Sequence, residues 1–247
     1  MDALTEQAGL IDRIALQLAS GGTGVVQFET HVSRVLVAGG HAFKFKKPLR
    51  LPFLDAATLE ARRFLCEEEC RLNRRLAAGM YIDVVAVTGD IAHPVLGGAG
   101  KAVEYAVRMH AFEQQALWGC RIAHGLLGDA DADRLAQALA RFHIEAPRAP
   151  ADAGWGSVAA IAAGFLGTLA ELAELSGLVA GAGGVQRLRF LRQWETHERA
   201  RLDARFRLRK AQGMVRECHG DLHCDKIKHS GLQRKTPGRR LMAGVRA

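Results

Sequence analysis

Along the first half of the chain the apolar positions change period several times. Leu10, Ile14 and Leu18 recur at helical spacing, so a helix is predicted over Leu4 to Leu18, with Ser20-Gly21-Gly22 as its stop. Short apolar runs follow. Val25 to Phe28 reads as a strand, Glu29 to Ser33 as a loop, and Val35 to Ala38 with His41 to Lys46 as a hairpin closed by Gly39-Gly40. Pro48 and Pro52 bracket a linker, Leu59 to Ala78 is predicted helical, and Val84 to Val87 and Val103 to Val107 make two further strands. From Met109 onward the period is helical. Leu135, Leu139 and Phe142 line one face of Asp131 to His143, which Pro147 and Pro150 end; Val158 to Leu175 is a second helical stretch. Gly181 to Gly184 reads as a turn, and Val185 to Gln212 as a long charged helix stopped by Gly213. Residues 224–247 lack apolar periodicity and are expected to form a disordered tail.

Composition narrows the function classes. The 247 residues are 49% hydrophobic and 24% charged, ordinary for a globular protein able to bury a core. The net charge of +8 invites a nucleic-acid reading. Residues 224–247, however, hold seven Lys and Arg against Asp225 alone, +6 of that total, which leaves the other 223 residues at +2 and gives a basic binding face little support. Five irregularly spaced cysteines and an N-terminus interrupted by Glu6, Asp12 and Arg13 lead to the expectation of reduced thiols, no secretory leader and a cytoplasmic protein. The longest apolar stretch, Val158 to Ala170, is shorter than the roughly 20 residues that a spanning helix needs, so no membrane partner is expected.

Candidate chemistry gathers in a few blocks: Glu29-Thr30-His31-Val32-Ser33, Ala42-Phe43-Lys44-Phe45-Lys46-Lys47-Pro48, Cys66 to Leu76, Val103 to Met109, and Glu217 to His223 with His219-Gly220-Asp221 at its centre. Lys44 and Lys46 lie two apart on a predicted strand and therefore share a face, opposite to Phe43 and Phe45. Taken alone, such a pair is a solvated strand face. Of the acidic triplet on the predicted helix, Glu69 falls on the stripe of Leu65, Leu72 and Leu76 and is expected to point inward, whereas Glu67 and Glu68 face water. Cys218, His219, His223 and Cys224 raise a zinc alternative, but no second ligand pair stands elsewhere, and Cys66 and Cys70 read as core-edge residues. Two glycine-rich runs are decoys. Gly97 to Ala102 lacks the first glycine and the metal-binding hydroxyl of a P-loop, and Gly181 to Gly184 lacks the context of a dinucleotide fingerprint.

Together these blocks, from Val26 to His223, resemble bacterial aminoglycoside phosphotransferase-like proteins, of the type that often continues into a P-loop kinase-like domain. The resemblance implies an α+β, two-lobed protein-kinase-like fold with an incomplete C-terminal lobe. Residues 1–107 would be the nucleotide-binding lobe of one helix, five strands and one inserted helix. Residues 108–223 would be a partial helical lobe ending in the catalytic-like loop, and residues 224–247 the tail. It further implies ATP and Mg²⁺ as cofactors and a small-molecule hydroxyl as acceptor, with Asp221 taking the hydroxyl proton and His219 beside it in the catalytic loop. Lys44, preferred over Lys46, would hold the phosphates and Glu69 would fix it, with Thr30 and Ser33 in the place of a glycine-rich loop.

One departure bears on activity. In kinase loops an Asn that binds the metal follows the Asp by five positions, and here that position is Lys226. No Asn occurs after His223, and Asp225 is the only acid there, so no metal ligand is assigned. The chain is accordingly expected to be a truncated or frameshifted phosphotransferase of weak or absent activity. The rival reading is a non-catalytic, degenerate kinase-like protein that binds a nucleotide or a protein partner.

Overall fold

A computed structural model describes residues 2–22, 24–51, 53–175 and 181–229. Contacts divide the chain into two compact units. The first runs to Leu135 and takes in the segment from His219 onward; the second is Ala136–Cys218.

The first unit opens with α1, Ala3–Ser20, capped by the Asp2 side chain, which accepts from the Thr5 amide at 2.7 Å. Its predicted stripe is buried, with Ile11 and Ala15 joining Leu10 and Ile14. Six antiparallel strands then build one sheet in the order β1-β2-β3-β8-β6-β7: β1 Val26–Glu29, β2 Ser33–Ala38, β3 His41–Lys46, β6 Tyr81–Gly89, β7 Pro94–Leu96 and β8 Ala102–His110. Between β3 and β6 stand a small hairpin, β4 Arg50–Leu51 and β5 Leu54–Asp55, and the helix α2, Leu59–Ala77. The β2–β3 hairpin turns on Gly39 and Gly40, with φ of 56° and 79°. Both lie in the left-handed region, which is what a two-residue type I′ turn requires and what glycine adopts without strain.

Alternation along the strands splits the core into two clusters on opposite faces of the sheet. Leu36, Phe43, Phe45, Val87 and Ala106 pack against α1, while Val35, Val37, Ala42, Val107 and Met109 pack with Cys66 and Cys70 of α2. A buried polar network pins the layers together. The Arg62 Nε of α2 lies 3.0 Å from each oxygen of the Glu104 carboxylate on β8, and Gln7 of α1 donates to Glu104 at 2.7 Å and to the Lys46 carbonyl at 2.6 Å. Arg62 also donates to the carbonyls of Ala56 and Ala57, so this buried charge pair is well supplied with partners. Sequence alone places such charges at the surface.

After β8 come a short helix, α3, Trp118–Ala123, and α4, Asp129–Glu145. In the second unit, α5, Val158–Glu174, packs against α6, Gly181–Ala211, with the Phe165 and Trp194 rings 6.1 Å apart. Charges run all round α6, and three of its arginines pair with acids one turn earlier, at Glu195, Glu198 and Asp203.

Several expectations change. The sheet has six strands rather than five: β7 begins at Pro94, and an edge strand tolerates the missing amide. Gly181 to Gly184 is the first turn of α6, not a loop, because a helical cost of about 1 kcal/mol per glycine is a weak preference that context overrides. Residues 224–229, assigned to the tail, are instead built into the first unit through a 3-10 turn at Cys224–Lys226 and backbone bonds from Trp118 to the Ile227 carbonyl (2.9 Å) and from His229 to the Ala116 carbonyl (2.8 Å). Local patterning cannot register such pairing with a segment a hundred residues away. Residues 230–247, the rest of that predicted tail, lie outside the described residues.

Candidate phosphate-binding site

Lys44 lies in register between Val35 of β2 and Val107 of β8, on the sheet face that α2 covers. Lys46 follows on the same face. Across from them stands Glu69, whose side chain is only 11% exposed, and each of its oxygens takes one lysine. Lys44 Nζ lies 3.0 Å from Oε1, and Lys46 Nζ pairs with Oε2. Burial works against the Glu69 carboxylate, but the two ammonium groups together outweigh it and hold its pKa down to about 2. Burial likewise depresses Lys44; the Glu69 charge opposes that shift and the Lys46 and Lys226 charges reinforce it.

Glu69 points inward as expected, but on a different stripe. The buried positions of α2 are Arg62, Cys66 and Cys70; Glu69 flanks them, and Leu76 is 38% exposed. Glu67 pairs with Arg63 and Glu68 with Arg71 on the outer face. Cys66 and Cys70 are buried thiols, and loss of solvent pushes Cys66 up to about 12.

The catalytic-like loop belongs to the same unit as these lysines. Gly220 has φ 78°, a left-handed turn between His219 and Asp221 that brings the Asp221 amide to within 3.3 Å of the His219 Nδ1. The Asp221 carboxylate is exposed and forms an ion pair with Lys226, whose ammonium holds its pKa below the usual range. Partial burial, followed by the charge of Lys226, lowers the pKa of His219, and Arg75 of α2 adds to the effect. Lys226 thus acts electrostatically on both His219 and Lys44. The 3-10 turn carrying Lys226 is seated tightly. An added Cβ at Gly119 would come within 2.0 Å of the Asp225 carboxylate, and His229 reaches Asp131 at 3.1 Å.

The Thr30 hydroxyl is occupied within its own turn, whereas the buried Ser33 hydroxyl has no hydrogen-bond partner. The Thr30 hydroxyl donates to the Ser33 carbonyl at 3.2 Å and accepts from the Ser33 amide at 2.9 Å, while Ser33 itself is fully buried. Lys47 closes the turn by bonding the Thr30 carbonyl at 2.6 Å and pairing with Glu29. The structure therefore groups Lys44, Lys46 and Glu69, and separately Asp221 with His219 and Lys226; no hydrogen bond joins Thr30 or Ser33 to either group.

Comparison with known proteins adds relatives without an assigned activity. The chain is 34% identical over 134 residues to the uncharacterized proteins Rv2004c and MT2060 of Mycobacterium tuberculosis and Mb2027c of Mycobacterium bovis. The match covers 54% of this chain and 25% of each relative, so the chain spans about a quarter of the length of these proteins. No family model matches the chain, and no solved structure matches it.

The groups implied by the resemblance fit unequally. Lys44 and Lys46, which share the Glu69 carboxylate, are the side chains that would hold a phosphate chain. A divalent cation fits poorly at Asp221, because Lys226 already occupies that carboxylate and stands where an amide oxygen would be needed. Among the described residues no three His, Cys, Asp or Glu side chains group to hold a metal ion, and this also applies to the zinc alternative.

Proposed function

We propose that this protein is an aminoglycoside phosphotransferase-like, kinase-fold protein that binds the phosphates of ATP at Lys44 and Lys46, and whose phosphoryl transfer to a hydroxyl acceptor is impaired. The observation that carries the reading is the fork of Glu69 between the two strand lysines, an arrangement in which one carboxylate holds both lysine side chains in place on the same face of the sheet. In this reading Lys44 grips phosphate oxygens, Glu69 fixes both lysines, and Asp221 is the group to receive the acceptor proton. Before it can do so, Asp221 must be released from Lys226. That ion pair also favours the second reading, a degenerate, non-catalytic nucleotide-binding protein.

Calorimetric titration with ATP tests the first part. A charge-assisted contact contributes about 1.5 to 3 kcal/mol, so Lys44→Ala is expected to weaken binding roughly tenfold or more. Unchanged affinity in Lys44→Ala with loss in Lys46→Ala would transfer the role to Lys46, and no binding by the unmodified chain would remove the reading.

A further inference from the structure

We propose that His41 and His110 form a two-imidazole site for a late first-row divalent cation such as Ni²⁺, which clamps β3 to β8. The inference is independent of the nucleotide-binding reading, because His41 shares its sheet face with Phe43 and Phe45 and stands opposite to Lys44 and Lys46.

Strand register brings the two side chains together. His41 begins β3 and His110 ends β8, and they lie directly across from each other on neighbouring antiparallel strands. The Ala111 amide donates to the Gly40 carbonyl at 2.9 Å, a bond between the flanking residues that makes His41 and His110 a non-hydrogen-bonded pair. Side chains approach most closely at such positions. The two rings are stacked, with centroids 5.7 Å apart and planes 30° from parallel.

That spacing suits a shared ion. An imidazole nitrogen binds a divalent cation at about 2.0 to 2.1 Å, so two rings on one ion have centroids roughly 4.5 to 6.4 Å apart, from a right-angled to a linear arrangement. The strands already stand at the distance required, and only rotation of the imidazoles about their side-chain bonds is needed. Phe43 flanks His41 at a ring separation of 6.3 Å. His41 is half-buried and His110 exposed, which leaves the ion an approach from solvent. Arg108, two residues before His110, is paired with Asp83, so its charge offers little opposition to an incoming cation.

The ligand set selects the metal. Among the described residues no third His, Cys, Asp or Glu joins the pair to make a metal-holding group, so water completes the coordination. Structural zinc takes four protein ligands and Mg²⁺ prefers oxygen, whereas two imidazoles with water suit the tetragonal geometry of Ni²⁺ or Cu²⁺. An ion held by the paired strands and not by the unfolded chain stabilises the fold.

The test is calorimetric titration of the full chain with Ni²⁺, together with thermal melts in Ni²⁺, in Mg²⁺ and in EDTA. His41→Phe, His110→Phe and the double variant are run alongside; phenylalanine keeps a ring on each strand while removing the ligand. Ni²⁺ is expected to raise the melting temperature of the unmodified chain, and Mg²⁺ to leave it unchanged. Each single variant should weaken Ni²⁺ binding about tenfold or more and abolish the rise, and the double variant should lose no more than either single one, because one ion is shared. Ni²⁺ affinity and a Ni²⁺-dependent rise that persist in either single variant would overturn the inference, and so would losses that add in the double variant, since these mark two separate ligands.

Discussion

Glu69 is the residue on which the candidate site turns, because its single carboxylate is shared by two lysines on a covered face of the sheet. Removing its charge leaves two neighbouring ammonium groups uncompensated, and breaking a buried pair in this way costs about 3 to 5 kcal/mol. Glu69→Gln is therefore expected to destabilise the protein by an amount of that order in denaturant titration at neutral pH. The same carboxylate sets an acid dependence. Its folded pKa of about 2 lies below the ordinary 4.5, so its contribution is fully present above about pH 4.5 and is lost as pH falls toward 2. Melting curves between pH 5 and pH 2 should fall less steeply for Glu69→Gln than for the unmodified chain. Equal slopes would mean that Glu69 does not carry the acid sensitivity.

The elements that carry these residues owe their placement to ordinary local chemistry. The helix α2 starts at Thr58, whose hydroxyl accepts from the Ala61 amide at 3.1 Å, and the β2–β3 hairpin that presents Lys44 closes on its glycine pair. Loss of an N-cap of this kind costs about 1 kcal/mol. Thr58→Ala should lower stability by that amount with ATP affinity little changed, since Glu69 lies three turns further along. A large fall in affinity at unchanged stability would instead place the start of α2 in the ligand site. The inward stripe of α2 was harder to read. Leu65, Leu72 and Leu76 pointed to Glu69, yet the residues that meet the sheet are Arg62, Cys66 and Cys70. The opposing sheet face carries two lysines, and Arg62 reaches the Glu104 carboxylate near the start of β8, so the helix answers with small and polar side chains instead of an aliphatic row.

At the scale of the molecule, the segment from His219 onward belongs with the first 135 residues, although the whole of Ala136–Cys218 lies between them in sequence. No helix among the described residues is long and apolar enough to cross a membrane. Phosphotransfer by this chain is expected at or near the limit of detection, because Asp221 is bound to Lys226 and electrostatic stabilisation of the transferring group is usually the largest catalytic contribution. Loss of one such contact costs about 10² to 10³ in rate. The assay is ATP turnover with Mg²⁺ over a panel of hydroxylated acceptors, beside Asp221→Ala. Robust turnover that the substitution abolishes would show that the Lys226 pairing does not impair the reaction.

Period and turn chemistry alone determined α1, the β2–β3 hairpin, α2, most of the sheet strands and the stop of α6 at Gly213, because each is specified by contacts a few residues apart. They also put Lys44 and Lys46 on one strand face, since alternation is a property of the extended chain. Tertiary structure decided the rest. That Arg62 and Glu104 are buried, that Glu69 takes both lysines, and that Lys226 pairs with Asp221 all depend on groups brought together from distant parts of the chain or by a particular turn. A charged residue is nearly always at the surface by composition, and only a partner positioned by the fold makes its burial or its pairing favourable.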